Sequence, residues 1–287
     1  MTVTAIKPRR RTVNSSKVIA RSILYLVLIL WAVFMIMPFA WMILTSIKTT
    51  KEAMKIPLIW LPAVPQWGNY ANVLTKYNFG SYYYNTAFCT IFTVGIQVIT
   101  CSMAAYVFAR LDFPGKNAIF LLMLSVMMVP AQMIMIPRYV ITQKLGLLNT
   151  LWGVIVSNIP SIYGTFFLRQ NFQSLPRDLD ESAMLDGCGF FRTYWQILLP
   201  LVRNGLISYA VLGIMWAWND FLWPLLVISS KKNYVLSIAI ANLQGEYNTD
   251  YPLMMTAGTV SMLPILVVFI FAQKYLMEGI AISGLKN

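Results

Sequence analysis

The 287-residue chain contains no histidine. The commonest metal ligand and the usual general base near neutral pH are therefore missing. Cysteine is scarce, with only Cys89, Cys101 and Cys188. Cys89 and Cys101 share one apolar run, where a helix would hold them about 18 Å apart, far outside bridging range. No disulfide framework is expected. No GxxxxGK[ST] phosphate loop occurs, so this chain is not expected to hydrolyse ATP. Charge is scarce too: Asp, Glu, Lys and Arg make up 11% of the residues, against about 25% in a soluble domain. Nothing resembles an activated nucleophile or a carboxylate pair in a pocket. The chain is read as non-catalytic, with no metal and no cofactor of its own.

What is plentiful is apolar surface. Hydrophobic residues are 58% of the chain and the mean hydropathy is +0.65, which implies an all-α protein embedded in a lipid bilayer. The formal charge of +12 would suit nucleic acid. The basic residues, however, are spread between apolar runs, and Lys7, Arg9, Arg10, Arg11, Lys17 and Arg21 crowd the start without an acid. That pattern sets membrane orientation rather than a nucleic-acid face.

Six transmembrane helices are predicted, over 22–47, 85–108, 117–136, 150–168, 205–228 and 252–271. Residues 1–21 form a cytoplasmic basic tail, 22–272 a six-helix transmembrane domain containing a cytoplasmic loop at 170–200, and 273–287 a cytoplasmic tail. The first run is too long for a cleaved signal peptide and is read as retained. Segments 48–84, 138–149 and 229–251 are placed outside. Both termini then face inward, where the basic residues are denser. Pro38, Pro130, Pro160, Pro224 and Pro264 fall in these runs; they are either ordinary packing features or gating kinks.

The most charged stretch between two apolar runs is 175–200, LPRDLDESAMLDGCGFFRTYWQILLP. Ser174 is a plausible N-cap and Pro176 suits a first helical turn. Asp178, Asp180 and Glu181 favour the positive end of a helix dipole. Leu179, Ser182, Ala183 and Asp186 share one face. Gly187 and Gly189 permit a left-handed turn, and a second helix runs from Phe190 to a stop at Pro200. On residues alone this is a capped helix-turn-helix at the membrane surface.

Glu181, Ala183, Asp186, Gly187, Ile197, Leu199 and Pro200 together resemble the "EAA" loop of permease subunits in binding-protein-dependent ABC importers. Ser182 stands where that motif has its first alanine, and Cys188 where a small residue commonly follows the glycine. The resemblance implies a type I importer permease fold in a bacterial cytoplasmic membrane. It implies a second homologous permease, two ATPase subunits that carry ATP and Mg, and an extracellular solute-binding protein as partners. Glu181, Ser182, Ala183, Asp186, Gly187 and Pro200 would then couple the chain to the ATPase.

Three further patterns bear on function. In WAWNDFLWPLL, Trp216, Asn219, Asp220 and Trp223 have the spacing of one helical face. Rings and hydrogen-bonding groups together suit a sugar. Alternatively Trp218 and Trp223 belong to an aromatic belt, with Asp220 reaching water. This run also looks like a pattern of carbohydrate importers in the same family. Gly245, Glu246, Tyr247, Asn248 and Asp250 are similar to the family's last outer loop, which meets the binding protein in maltose-type systems, or they form a polar turn. Gly279, Gly284 and Lys286 resemble the maltose-type tail that reaches the ATPases. No basic residue is expected within a central span, which points to a neutral solute. An ion-coupled secondary transporter, with Asp220 binding the ion, and a non-transporting scaffold are the alternatives.

Overall fold

A computed structural model describes residues 15–243 and 250–284, apart from the side chains of 15–18, 76 and 276–284. Among the described residues every regular element is helical. Three helices are long and apolar enough to cross a membrane unbroken: α1 (Ser15–Ser46), α4 (Phe79–Arg110) and α14 (Tyr251–Gly284). Between α1 and α4 lie α2 (Thr50–Ala53) and α3 (Gly68–Lys76). Three more candidate spans are bent pairs. Lys116–Val126 (α5) turns by 96° into Ala131–Lys144, whose α-helical part is α6 (Met135–Lys144). The pair α7 (Leu151–Asn158) and α8 (Ile162–Gln173) bends by 46°. After α9 (Asp178–Leu185), α10 (Phe190–Leu201) bends by 77° into α11 (Arg203–Trp218). Short helices α12 (Leu222–Val227) and α13 (Leu236–Ala241) complete the chain order before α14.

The six apolar runs are thus all helical, but only three are single rods. Prolines stand in two of the three breaks, while the 77° bend at Val202 follows Pro200, which lies inside α10. A proline has no N–H for the carbonyl four residues back, and its ring crowds that carbonyl. Four residues before Pro130 is Val126, the last residue of α5. Pro160 lies in the gap between α7 and α8. Four residues before Pro224 is Asp220, in the gap between α11 and α12; its freed carbonyl accepts the Ser237 hydroxyl at 2.7 Å. Pro264 sits inside unbroken α14, and there the Tyr83 hydroxyl donates to the freed Val260 carbonyl. Neighbours that satisfy the freed carbonyl are what make a proline tolerable in a membrane helix.

Helix α4 is the axle of the bundle, packed by α3, α7, α8, α11 and α13. Its buried residues include Thr86, Thr90, Thr93, Ser102, Ala105 and Ala109. Small side chains let helix backbones approach closely where lipid gives no hydrophobic drive for association. The approach is close elsewhere too: a Cβ on Gly164 would lie 2.3 Å from the Tyr209 ring. By contrast α1 buries almost nothing within the chain until its end, where the buried Thr256 hydroxyl donates to Ser46 O at 3.0 Å.

The predicted outer segment 48–84 is more ordered than its prolines suggest. Thr49 caps α2, accepting from the Glu52 N–H at 3.3 Å. The Glu52 carboxylate in turn accepts from the N–H groups of Thr49 (2.9 Å) and Ala63 (3.1 Å), a capping box extended to a second strand of loop. These bonds, those from Thr49 first, hold the Glu52 carboxyl below its ordinary range. Segment 229–251 likewise contains α13, whose Leu236, Ile238 and Ala239 are buried.

Candidate functional sites: the elbow and the cleft

The elbow spans 175–200. Helix α9 begins at Asp178, with the Arg177 backbone as its N-cap and no capping side chain. Ser174 is not that cap: it closes α8, its hydroxyl donating to Asn171 O at 2.8 Å. α9 ends in a Schellman turn. Gly187 has φ 76°, its N–H donates to Met184 O at 3.0 Å, and the Cys188 N–H donates to Ala183 O at 2.9 Å. Only Gly187 uses glycine's left-handed freedom; Gly189, at φ −73° and ψ 163°, is extended and starts α10. The expected stop at Pro200 does not occur. α10 loosens into a π-helical turn over Thr193–Leu198, with the Leu199 N–H on Tyr194 O, and runs through Pro200 to Leu201. The wider turn precedes the residue that lacks an N–H, a usual cause of local rearrangement.

The elbow is clamped to the end of α4. Arg110, 3% exposed in its side chain, places Nη1 3.1 Å from Asp180 Oδ2 and donates from Nη2 to Leu175 O at 2.8 Å. The Tyr106 hydroxyl donates to Phe190 O at 3.1 Å, and Tyr194 and Ser102 share a hydrogen bond of 2.8 Å. Of the expected shared face, Ala183 is buried and Leu179 half-buried, whereas Ser182 and Asp186 are exposed. Four residues with the right spacing thus span more than one environment. Glu181 is exposed beside them, and Leu185, at 89% exposure, projects from the tip. The elbow therefore offers a carboxylate and an apolar knob on a stiff base.

The second site is a cleft of about 370 Å³ between α4, α6, α8 and α11. The ring of Trp216 stacks on that of Tyr163 at 5.6 Å, and Trp216 is 68% exposed. Arg138 lies with its guanidinium carbon 3.8 Å over the Trp223 ring. Its Nη2 donates to Asn158 Oδ1 at 2.7 Å, and Asn158 Nδ2 donates to Asp220 Oδ2 at 3.2 Å. Gln97 donates to Asn158 O at 2.5 Å and accepts from the Tyr209 hydroxyl at 3.1 Å.

This geometry corrects three expectations. Trp216, Asn219, Asp220 and Trp223 do not share a helical face, because α11 ends at Trp218. Trp216, Asp220 and Trp223 line the cleft, whereas Asn219 faces a second cavity of about 480 Å³ with Trp218 and Phe39. The aromatic belt is not found here either: Trp223 is 2% exposed and donates to Gly153 O, and Trp218 donates to Ser261 O. Finally, a basic residue does enter the bundle. Arg138, expected in an outer loop, is carried inward by the 96° turn before α6. Arg138, Gln97, Asn158 and Tyr163 were missed as site residues. The available signal was an arginine close after Pro130, where a run of helix-favouring residues should have suggested a second, turned helix rather than a loop.

The remaining sequence candidates are less defined. Asp250 caps α14, accepting from the Leu253 N–H at 3.1 Å, and receives the Thr50 hydroxyl at 3.5 Å. Gly245, Glu246, Tyr247, Asn248 and Lys286 lie outside the described residues. Gly279 and Gly284 belong to the backbone of α14, which continues through most of the expected tail. Among the described residues no cluster of three His, Cys, Asp or Glu could hold a metal.

The fold and these two sites define a multi-pass helical membrane protein with an ordered elbow clamped to the end of α4 and a cleft within the bundle. Residues 97–281 match the family described as binding-protein-dependent transport system inner membrane component. The chain belongs to that family, and its members are transport components rather than enzymes. It is 33% identical over 273 residues to the arabinooligosaccharides transport system permease protein AraQ of Bacillus subtilis, covering 94% of this chain and 96% of that one. It is 32% identical over 264 residues to the diacetylchitobiose uptake system permease protein NgcG of Streptomyces coelicolor, covering 91% and 87%. A solved bacterial ABC transporter involved in import of the acidic polysaccharide alginate contains a chain of the same fold: TM-score 0.80, 21% identity, 95% and 99% coverage.

Proposed function

We propose that the chain is the permease subunit of an ATP-driven carbohydrate importer. It forms the path together with a homologous permease. An extracellular binding protein delivers the solute, and of two ATPase subunits one docks on this chain's elbow. The observation that carries this reading is the elbow itself: a Schellman turn and two helices held to α4 by the Arg110–Asp180 pair, with Leu185 and Glu181 free to engage a partner. A linkage can transmit work only if it is stiff and its contacts differ between states. The clamp supplies the stiffness, and α4 leads from it to the cleft. Ser182, Ala183, Asp186 and Gly187 shape the docking helix, while Pro200 sits where α10 turns toward α11. The named relatives are saccharide permeases, and Trp216 stacked on Tyr163 gives the cleft an apolar ring platform of the kind a sugar uses.

In this reading both termini are cytoplasmic and 170–200 faces the ATPases. The outer loop with Gly245, Glu246, Tyr247, Asn248 and Asp250 meets the binding protein. The tail with Gly279, Gly284 and Lys286 lies near the ATPases. The test is the full importer in proteoliposomes carrying Gly187→Asp. ATP hydrolysis without uptake, or failure to retain the ATPases, is expected. Uptake at the unaltered rate overturns the coupling role.

A further inference from the structure

The cleft holds two opposite charges joined through one amide. Arg138 and Asp220 are the only Asp, Glu, Lys or Arg residues among the described residues lining it. Asn158 bridges them, accepting from Arg138 at 2.7 Å and donating to Asp220 at 3.2 Å. One amide with one acceptor and one donor end can satisfy both charges only in a single orientation. Trp223 covers the guanidinium face at 3.8 Å. The arginine is thus held on its face by Trp223 and at Nη2 by Asn158, its buried Nε has no partner, and the cleft carries no net formal charge.

From this we infer that the Arg138–Asn158–Asp220 bridge makes the cleft selective for uncharged polyhydroxylated solutes and rejects acidic and amino sugars alike, an inference that rests on the carbohydrate-path reading above. A carboxylate entering the cleft meets Asp220 and can reach Arg138 only by breaking the Asn158 bridge, which leaves Asp220 unpaired. An ammonium group meets the converse obstacle at Arg138. A neutral sugar needs neither rearrangement. It lays its C–H face on Trp216 and Tyr163 and bonds its hydroxyls to Gln97, Gln132 and Ser161, which line the same space. Selectivity of this kind comes from an obstacle to the wrong solute as much as from attraction of the right one.

The inference makes the two charges separable selectors. Asp220→Asn keeps the shape and leaves Arg138 uncompensated, so the cleft should accept an acidic sugar. Arg138→Gln leaves Asp220 uncompensated, so it should accept an amino sugar. The full permease–ATPase complex in nanodiscs, without binding protein, would be titrated with three matched β-1,4 trimers: cellotriose, its uronic-acid counterpart and the glucosamine trimer. Saturation-transfer NMR reads weak binding and ring contact. The unaltered complex should favour cellotriose over both charged trimers by about tenfold, as expected for one charge-assisted hydrogen bond lost. Asp220→Asn should bring the uronate trimer level or ahead. Arg138→Gln should do so for the glucosamine trimer, and the double variant should return to cellotriose. The two single variants are independent, so misfolding of one leaves the other decisive. Unchanged selectivity in a folded single variant, or equal binding of all three trimers by the unaltered complex, overturns the inference. Uptake with the native binding protein is measured alongside. Sugar import with no change of selectivity discards the charge bridge and keeps the importer. Failure of both import and trimer binding discards the path itself.

Discussion

Replacing Gly187 should cost the elbow its shape and leave the bundle intact. The residue stands at φ 76°, a region that costs an ordinary L residue about 1–2 kcal/mol. A β-branched valine resists it most, and asparagine least. If valine instead escapes to negative φ, the bonds from Gly187 to Met184 and from Cys188 to Ala183 are lost, at about 0.5–1.5 kcal/mol each. Either route costs the turn roughly 1–3 kcal/mol, about 5- to 150-fold in the equilibrium constant between formed and unformed elbow. Nothing lies within 4 Å of where the new Cβ would go, so no packing is disturbed and the thermal midpoint of the permease should hardly move. Uptake per ATP hydrolysed in proteoliposomes should therefore fall in the order Gly, Asn, Asp, Val, while scanning fluorimetry of the same preparations stays flat. Uptake indifferent to valine would refute the claim that the turn transmits force. A large fall in melting temperature would refute the claim that the turn is energetically local.

Asp180→Ala leaves the buried Arg110 without its partner and should destabilise the inner end of α4 on the order of 3 kcal/mol; the double variant Arg110→Met/Asp180→Leu should recover most of it in the same melting assay, and no recovery would show that the pair is not coupled. Gly164→Ala drives a Cβ into the Tyr209 ring, so overpacking of about 1–3 kcal/mol is expected, and Tyr209→Leu should partly suppress the loss in uptake and stability. Glu52 has a folded pKa depressed below its ordinary 4.5 by the Thr49 and Ala63 N–H groups, so its contribution to the outer loop is full above 4.5 and is lost as pH falls below that value through the lower folded pKa. Limited proteolysis between α2 and α3 should accelerate below pH about 4.5 in the unaltered protein but show no such step in Glu52→Gln.

Much of the elbow was legible in the sequence because its rules are local. A Gly after an amphipathic run, carboxylates in a first turn and a small residue at Ala183 act within a few residues of each other. The errors were also local competitions. Ser174 could cap a following helix or close a preceding one, and it closes α8, four residues before α9 begins at Asp178. The cleft was half legible. Trp216, Asp220 and Trp223 do line one cleft, but not through the single helical face that suggested them, because α11 ends at Trp218.

What the sequence determined by itself is where the six apolar runs lie and which carbonyls within them lose a partner, because a proline acts on a carbonyl four residues away whatever surrounds it; Pro38 and Pro264 nonetheless sit in unbroken helices. Only the tertiary structure decided that Arg138 meets Asp220. Their meeting depends on bends of 96° and 46° and on the end of α11, and a proline permits a bend without setting its angle. The angle is fixed by the neighbours that fill the freed space, and those neighbours are brought there by the whole bundle.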